Sequence, residues 1–238
     1  MLDLHAMTSG FWGPPTSSVD WCEVNYQVTP YVAELWNTLS SLAMVLAGAL
    51  GFCLNRRALP RRFLAAYGLL MVVGFGSIAF HATLRFELQM LDELPMLYLV
   101  TLIVYLLLER GPAPRFGRWL PWTLAGYALF LTVLCTTSRG QLQFWVFQLS
   151  FGSLELWSLW RVFLIYRRSQ SLAQRRLFRL GMGAYLLGIV VWFCDLRFCA
   201  ELGTWLPLHG IPNPQLHAWW HVLVAGGFYA LLLFIARE

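Results

Sequence analysis

The run FLAAYGLLMVVGFGSIAFHAT, residues 63–83, decides the fold, because it crosses 21 positions without an Asp, Glu, Lys or Arg. At about 1.5 Å per residue, a helix of that length covers the roughly 30 Å hydrocarbon core of a bilayer. The run is apolar on every face and carries Gly68, Gly74 and Gly76, a pattern of a spanning helix and not of the shorter, alternating strand of a barrel. Six further apolar runs lie at 35–54, 90–108, 119–135, 144–166, 180–198 and 217–236, three of them without a charged residue and three with two each. One soluble core could not enclose seven of them. With 58% hydrophobic and 12% charged residues in 238, against about a quarter charged in soluble domains, the chain reads as an all-α polytopic membrane protein with seven transmembrane helices.

Residues 1–15 have neither a basic region nor a continuous apolar stretch, so no cleavable signal peptide is expected and the first span does the targeting. Loops of about 5 to 20 residues leave no room for a second domain. Residues 1–238 are therefore read as one seven-helix domain, with 1–34 as its outer N-terminal segment.

There is no Lys, so arginine alone sets the orientation. Thirteen arginines, Arg56, Arg57, Arg61, Arg62, Arg110, Arg115, Arg118, Arg167, Arg168, Arg175, Arg176, Arg179 and Arg237, follow spans one, three, five and seven. Only Arg85, Arg139 and Arg197 lie on the other side. The N-terminus is expected outside or in the lumen and the C-terminus in the cytoplasm. The net charge of +5 is then mostly a topology signal, not a nucleic-acid patch. The same orientation gathers His5, His81, His209, His217 and His221, with Asp3, Asp20, Glu23, Glu34, Glu87, Asp92, Glu93, Asp195 and Glu201, at or beyond the outer ends of the spans.

Ser77 and His81 are four apart near the outer end of span two, and His217 and His221 four apart at the outer start of span seven; each pair shares a helix face. Spans two and seven run in opposite directions, so the three imidazoles can meet at one depth. Three neutral histidines leave a tetrahedral position open for water, the ligand set of a catalytic zinc. Asp92, an ionisable residue at the outer start of span three, is placed to act as general base toward that water. Ser77, one turn deeper than His81, can donate to a developing oxyanion. The plainer alternative for each is an interhelical hydrogen bond. His5 and His209 have no helical partner and read as loop residues.

The stretch Asp20-Trp21-Cys22-Glu23-Val24-Asn25, followed by Glu34 at the membrane entry, offers carboxylate and amide oxygens suited to a hard cation such as calcium. Their spacing is not that of an EF-hand, and a solvated acidic loop, with Glu34 as a first-turn acid favoured by the helix dipole, is the alternative. Five cysteines permit one bridge on the outer side, where Cys22 and Cys199 are placed and Cys194 competes; the pairing stays open. Glu155 lies near mid-membrane in span five, where it either faces a cavity or bonds a neighbouring helix. Trp119, Trp122, Trp205, Trp219 and Trp220 fit an interfacial aromatic belt.

Six blocks together, Gly10 to Ser17, Asp20 to Glu23, Glu34 to Thr38, Phe80 to Leu84, Leu91 to Met96 and His217 to His221, resemble the alkaline ceramidase family. The resemblance covers both ends and spans one to three and seven; spans four to six match loosely. It implies a seven-helix membrane amidase that hydrolyses ceramide to a sphingoid base and a fatty acid. Carried over, His81, His217 and His221 hold a zinc, Asp92 activates the water and Ser77 assists the oxyanion. Asp20, the Trp21 carbonyl, Glu23, Asn25 and Glu34 hold a calcium that tunes the zinc site. The implied setting is the ER or Golgi membrane in a eukaryote and the cell membrane in a bacterium. Two other classes share a zinc set of this kind: seven-helix lipid receptors, which are expected in the opposite orientation, and ester hydrolases of lipid-anchor remodelling.

Overall fold

The computed structural model describes residues 10–111 and 115–238; Asp3 and His5 lie outside the described residues. These residues form helices and loops with no strand, only the isolated bridges of Gly10 with Gly13 and Thr29 with Val32. The helices are α1 (Leu35–Ser40), α2 (Leu42–Asn55), α3 (Arg61–Thr83), α4 (Phe86–Leu108), α5 (Trp119–Thr137), α6 (Gly140–Arg168), α7 (Leu172–Arg197) and α8 (Leu216–Arg237), with two short turns, Glu201–Trp205 and Leu206–Leu208, before α8.

Among the described residues, six segments are long and apolar enough to cross a membrane: Leu35–Asn55, α3, α4, α5, α7 and α8. The chain is thus a multi-pass membrane protein by length and composition. The expected span 144–166 lies within α6, which has 29 residues but stands outside that set, its apolar run diluted by Gln143, Gln148, Glu155 and Arg161. The first span is broken at Ser41, whose hydroxyl and backbone N–H both donate to the Asn37 carbonyl; such local bonding competes with the regular helix.

Without a hydrophobic drive between helices in lipid, close backbone approach at small residues does the packing. A Cβ on Gly227 of α8 would lie 2.9 Å from the Tyr185 nitrogen of α7, and one on Gly181 would meet Ala230 and Leu231. At the other end of the pair, Asp195 accepts from the His217 N–H. α7 and α8 therefore run antiparallel.

The approach of α3 to α4 is closer. Pro95 inside α4 has no N–H, which leaves the Leu91 carbonyl without its helical donor. Gly76 faces that carbonyl: a Cβ there would sit 1.9 Å from Leu91 O and 2.9 Å from Asp92 N. Only glycine fits, and the contact sets the height of Asp92 against Ser77.

The N-terminal segment laces across the outer ends of this bundle. Ala33 N and Glu34 N donate to Ala82 O and His81 O, each at 2.9 Å. Thr16 N and Ser17 N both donate to Leu84 O at 2.9 and 3.1 Å. Leu84 ends α3 with φ of 50°, a left-handed turn that costs a non-glycine residue, and it is fully buried there.

Candidate functional site

α3 and α8 bring His81, His217 and His221 together. All three are buried, and one ring nitrogen from each lies within 4.8 Å of the others. Nε2 of His81, Nδ1 of His217 and Nε2 of His221 are buried without a hydrogen-bond partner. A buried polar atom left without a partner is costly, and three converging orphan nitrogens are a donor set that fits a zinc ion.

The opposite ring edges are held. Nδ1 of His81 bonds the Glu34 carboxylate, and Nδ1 of His221 lies 2.8 Å from Ser40 Oγ and 3.4 Å from Ser41 Oγ. Such outer contacts set the tautomer that leaves Nε2 available. The His217 ring is stacked on Trp21, centroid to centroid 3.7 Å, with Trp220 on it at 5.0 Å. Trp220 is thus part of the site wall and not of the aromatic belt, whereas Trp119, Trp122, Trp205 and Trp219 are exposed as that belt requires.

Asp92 is buried, with Oδ1 unpartnered. It lines, together with His217, Trp21 and Trp220, a cavity of about 70 Å³. Ser77 is fully buried one turn from His81, its hydroxyl 2.8 Å from that of Ser41. The group beside Asp92 was not foreseen from sequence. Gln89 and Gln143, both fully buried, donate to the two oxygens of Glu93, and Gln89 also donates to Gln143 and accepts from Ser18 N–H. This closed network ties the first turns of α4 to α6 and to the N-terminal segment.

The acidic loop sits directly above the histidines. Asn25 Nδ2 donates to Asp20 Oδ2 at 2.9 Å. Glu34 Oε1 accepts from Trp21 N–H, and Glu34 Oε2 from Asn37 and His81. Glu23 accepts from the N–H groups of Trp36 and Asn37 at 2.7 and 2.9 Å, so it caps α1 from outside the helix. Burial pushes the Glu34 carboxyl up to about 8, with the nearby Glu23 charge adding to it; burial also raises Glu23. Two buried carboxylates that repel one another are a set that a divalent cation would relieve.

Cys22 and Cys199 form a disulfide, with Cα atoms 5.2 Å apart, while Cys194 is free and half-buried. Next to the bridge, Asp195 accepts from Cys22 N–H and from His217 N–H, and Asn213 donates to Cys22 O. The acidic loop, the end of α7 and the start of α8 are therefore one fastened unit. Glu155 faces a cavity and also bonds a neighbouring helix, accepting from the Tyr185 phenol. His209 is an exposed loop residue bonded to Trp205 O.

A family model described as Ceramidase matches residues 13–237. Among characterised proteins the chain is similar to alkaline ceramidase 3 of Mus musculus, 37% identical over 235 residues, covering 94% of this chain and 85% of the relative. It is also similar to an alkaline ceramidase of Arabidopsis thaliana, 31% identical with 95% and 86% covered. An alkaline ceramidase of Saccharomyces cerevisiae is 31% identical, with 92% and 76% covered.

Proposed function

The chain belongs to the ceramidase family, and from that premise we propose that it is a ceramide amidohydrolase using a zinc held by His81, His217 and His221. It releases a fatty acid and a sphingoid base from the amide. The observation that carries the zinc reading is that three buried histidines each bring a ring nitrogen within 4.8 Å of the others, and that each ring has one nitrogen without a hydrogen-bond partner.

A zinc ion at those nitrogens would polarise the amide carbonyl and make water a stronger nucleophile. The remaining work falls to the chain. Asp92 takes the proton from the attacking water as the carbon–oxygen bond forms, and returns it to the amine as the carbon–nitrogen bond breaks. Its burial and its free Oδ1 suit a group that holds a proton between the two steps. Ser77 donates to the developing oxyanion, giving up its contact with Ser41. Glu34, Ser40 and Ser41 keep His81 and His221 turned inward. The Trp21 and Trp220 rings hold the His217 plane and keep bulk water from that side.

We read Asp20, the Trp21 carbonyl, Glu23, Asn25 and Glu34 as a calcium site. Because Glu34 touches His81 and Trp21 stacks on His217, calcium held there would steady two of the three histidines. We also read α6 as a seventh span, the whole chain as one membrane domain, and its orientation as N-terminus outside, on the arginine distribution. The corresponding membrane is the ER or Golgi of a eukaryotic cell or the cell membrane of a bacterium.

The test is release of fatty acid from ceramide by the purified protein in detergent, with bound metal counted in the same sample. One zinc per chain is expected. His81→Ala, His217→Ala and Asp92→Asn should each lose turnover, and only the histidine variants should lose zinc. Undiminished turnover by metal-free protein would overturn the mechanism.

A further inference from the structure

One half-buried ionisable residue inside the bundle has no part in this chemistry. Glu155 of α6 accepts a hydrogen bond from Tyr185 of α7, and Ser158, three residues on and so on the same helix face, is buried with its hydroxyl unpartnered. Glu155, Ser158 and Tyr185 line a cavity of about 80 Å³ whose other walls, including Met44, Leu99 and Phe228, are apolar. The cavity has room for a stretch of hydrocarbon chain. Met96, Phe151 and Trp220 belong both to its wall and to that of the cavity containing Asp92 and His217, so the two adjoin.

The polar group lies well below the histidines. Tyr185 packs at the level of Gly227, six residues beyond His221 on α8, which is roughly 9 Å along the axis. Side chains lean toward the N-terminus of their helix, and α7 runs against α8, so the phenol leans farther from the histidines. A ceramide's own head-group hydroxyls lie a few bonds from the amide. They cannot reach this depth while the amide stays in the histidine layer; only a hydrocarbon chain can.

An ionisable side chain inside a membrane protein is expensive and needs a polar counterpart. Glu155 can accept, and the Ser158 hydroxyl can donate, to one and the same hydroxyl group. We propose that Glu155, Ser158 and Tyr185 form a recognition site for a hydroxyl carried partway along a lipid chain, making the enzyme selective for mid-chain-hydroxylated ceramides. The inference rests on the ceramide reading and refines its substrate class.

The experiment compares kcat/KM for plain ceramide with two analogues, one hydroxylated midway along the acyl chain and one midway along the sphingoid chain. One of the two should be preferred over plain ceramide by roughly three- to tenfold, the range of one net hydrogen bond, and which one it is identifies the chain in the cavity. In Glu155→Leu and in Ser158→Ala the preference should fall toward one. Ser158→Ala removes a hydroxyl that bonds nothing in the protein, so it tests recognition without cost to folding. A ratio of one for both analogues in the wild type overturns the inference, and so does a preference that survives both substitutions. If no ceramide of any kind is cleaved, it is the parent reading that fails. Thermal-shift titrations with hydroxylated and plain fatty acids and sphingoid bases then still decide the recognition: equal shifts for every pair overturn it.

Discussion

Placing one methyl group on Gly76 separates the proposed metal ligands from the proposed base. In Gly76→Ala the new Cβ would fall 1.9 Å from Leu91 O, 2.5 Å from Leu91 C and 2.9 Å from Asp92 N. These are backbone atoms and cannot swing aside. A carbon and a carbonyl oxygen settle at about 3.3 Å, so α4 has to retreat by roughly 1.4 Å at Asp92. The network of Gln89, three residues before Asp92, and Glu93, the residue after it, with Gln143 of α6 resists that retreat, and the misfit concentrates on Asp92. A misplacement of about 1 Å costs on the order of 10²-fold in rate, while overpacking costs roughly 1–3 kcal/mol of stability. The expected result is kcat for ceramide reduced about a hundredfold. Zinc content should stay near one per chain, because the three histidines are on α3 and α8. Gly68→Ala, on the same helix with nothing within 4 Å of its added Cβ, is the control and should match the wild type. Full turnover in Gly76→Ala would refute the reasoning. Zinc loss in step with activity would refute it too, by showing that the damage passes through the metal ligands.

A calcium-selective chelator should lower both activity and melting temperature in detergent; if neither moves, the acidic loop is no calcium site. In protein stripped of both metals, stability should fall as pH rises through about 8. Glu34 is raised to about 8 in the folded state from an ordinary value near 4.3, so its contribution is present in full below the unfolded value and is lost as the folded group ionises. A melting temperature that climbs steadily from pH 6 to 9 in that protein would count against it. Cys22→Ser should cost about 2–5 kcal/mol of stability, read by thermal or denaturant melts, and an unchanged melt would mean the loop is fastened by its hydrogen bonds alone. Gln143→Leu, which strips Glu93 of one of its two donors, should lower kcat more than it raises KM; an effect confined to KM would argue against a positioning role.

Much of this was legible before any coordinates, and for a physical reason. A bilayer demands long uncharged runs, and those runs announced the helices; the four-residue spacings then put His81, His217 and His221 on converging faces. The limits of the reading have equally specific causes. α6 is longer than its apolar run because Gln143 near its outer end turns inward to Glu93, a polar residue behaving as core. Ser41 breaks the first span through a bond to its own backbone, which composition does not reveal. Glu34 reads as a calcium ligand or, alternatively, as a first-turn acid, and neither reading names its contact with His81 across 47 positions. Asp195 lies 173 positions from Cys22 and drew no notice as part of the site. Trp220 sits among belt tryptophans in sequence and on His217 in space. Contacts between distant segments leave no periodic trace, so every one of these partners had to be seen.

The bridge between Cys22 and Cys199, 177 positions apart, closes most of the chain into a covalent loop that contains α1 to α7 and leaves α8 outside. Two of the three histidines belong to that excluded helix. During synthesis the chain can therefore be inserted, bridged and largely assembled while it still holds a single metal-site histidine. The three histidines come together only when α8 packs along α7, so a copy whose α8 has not yet docked lacks the convergent cluster.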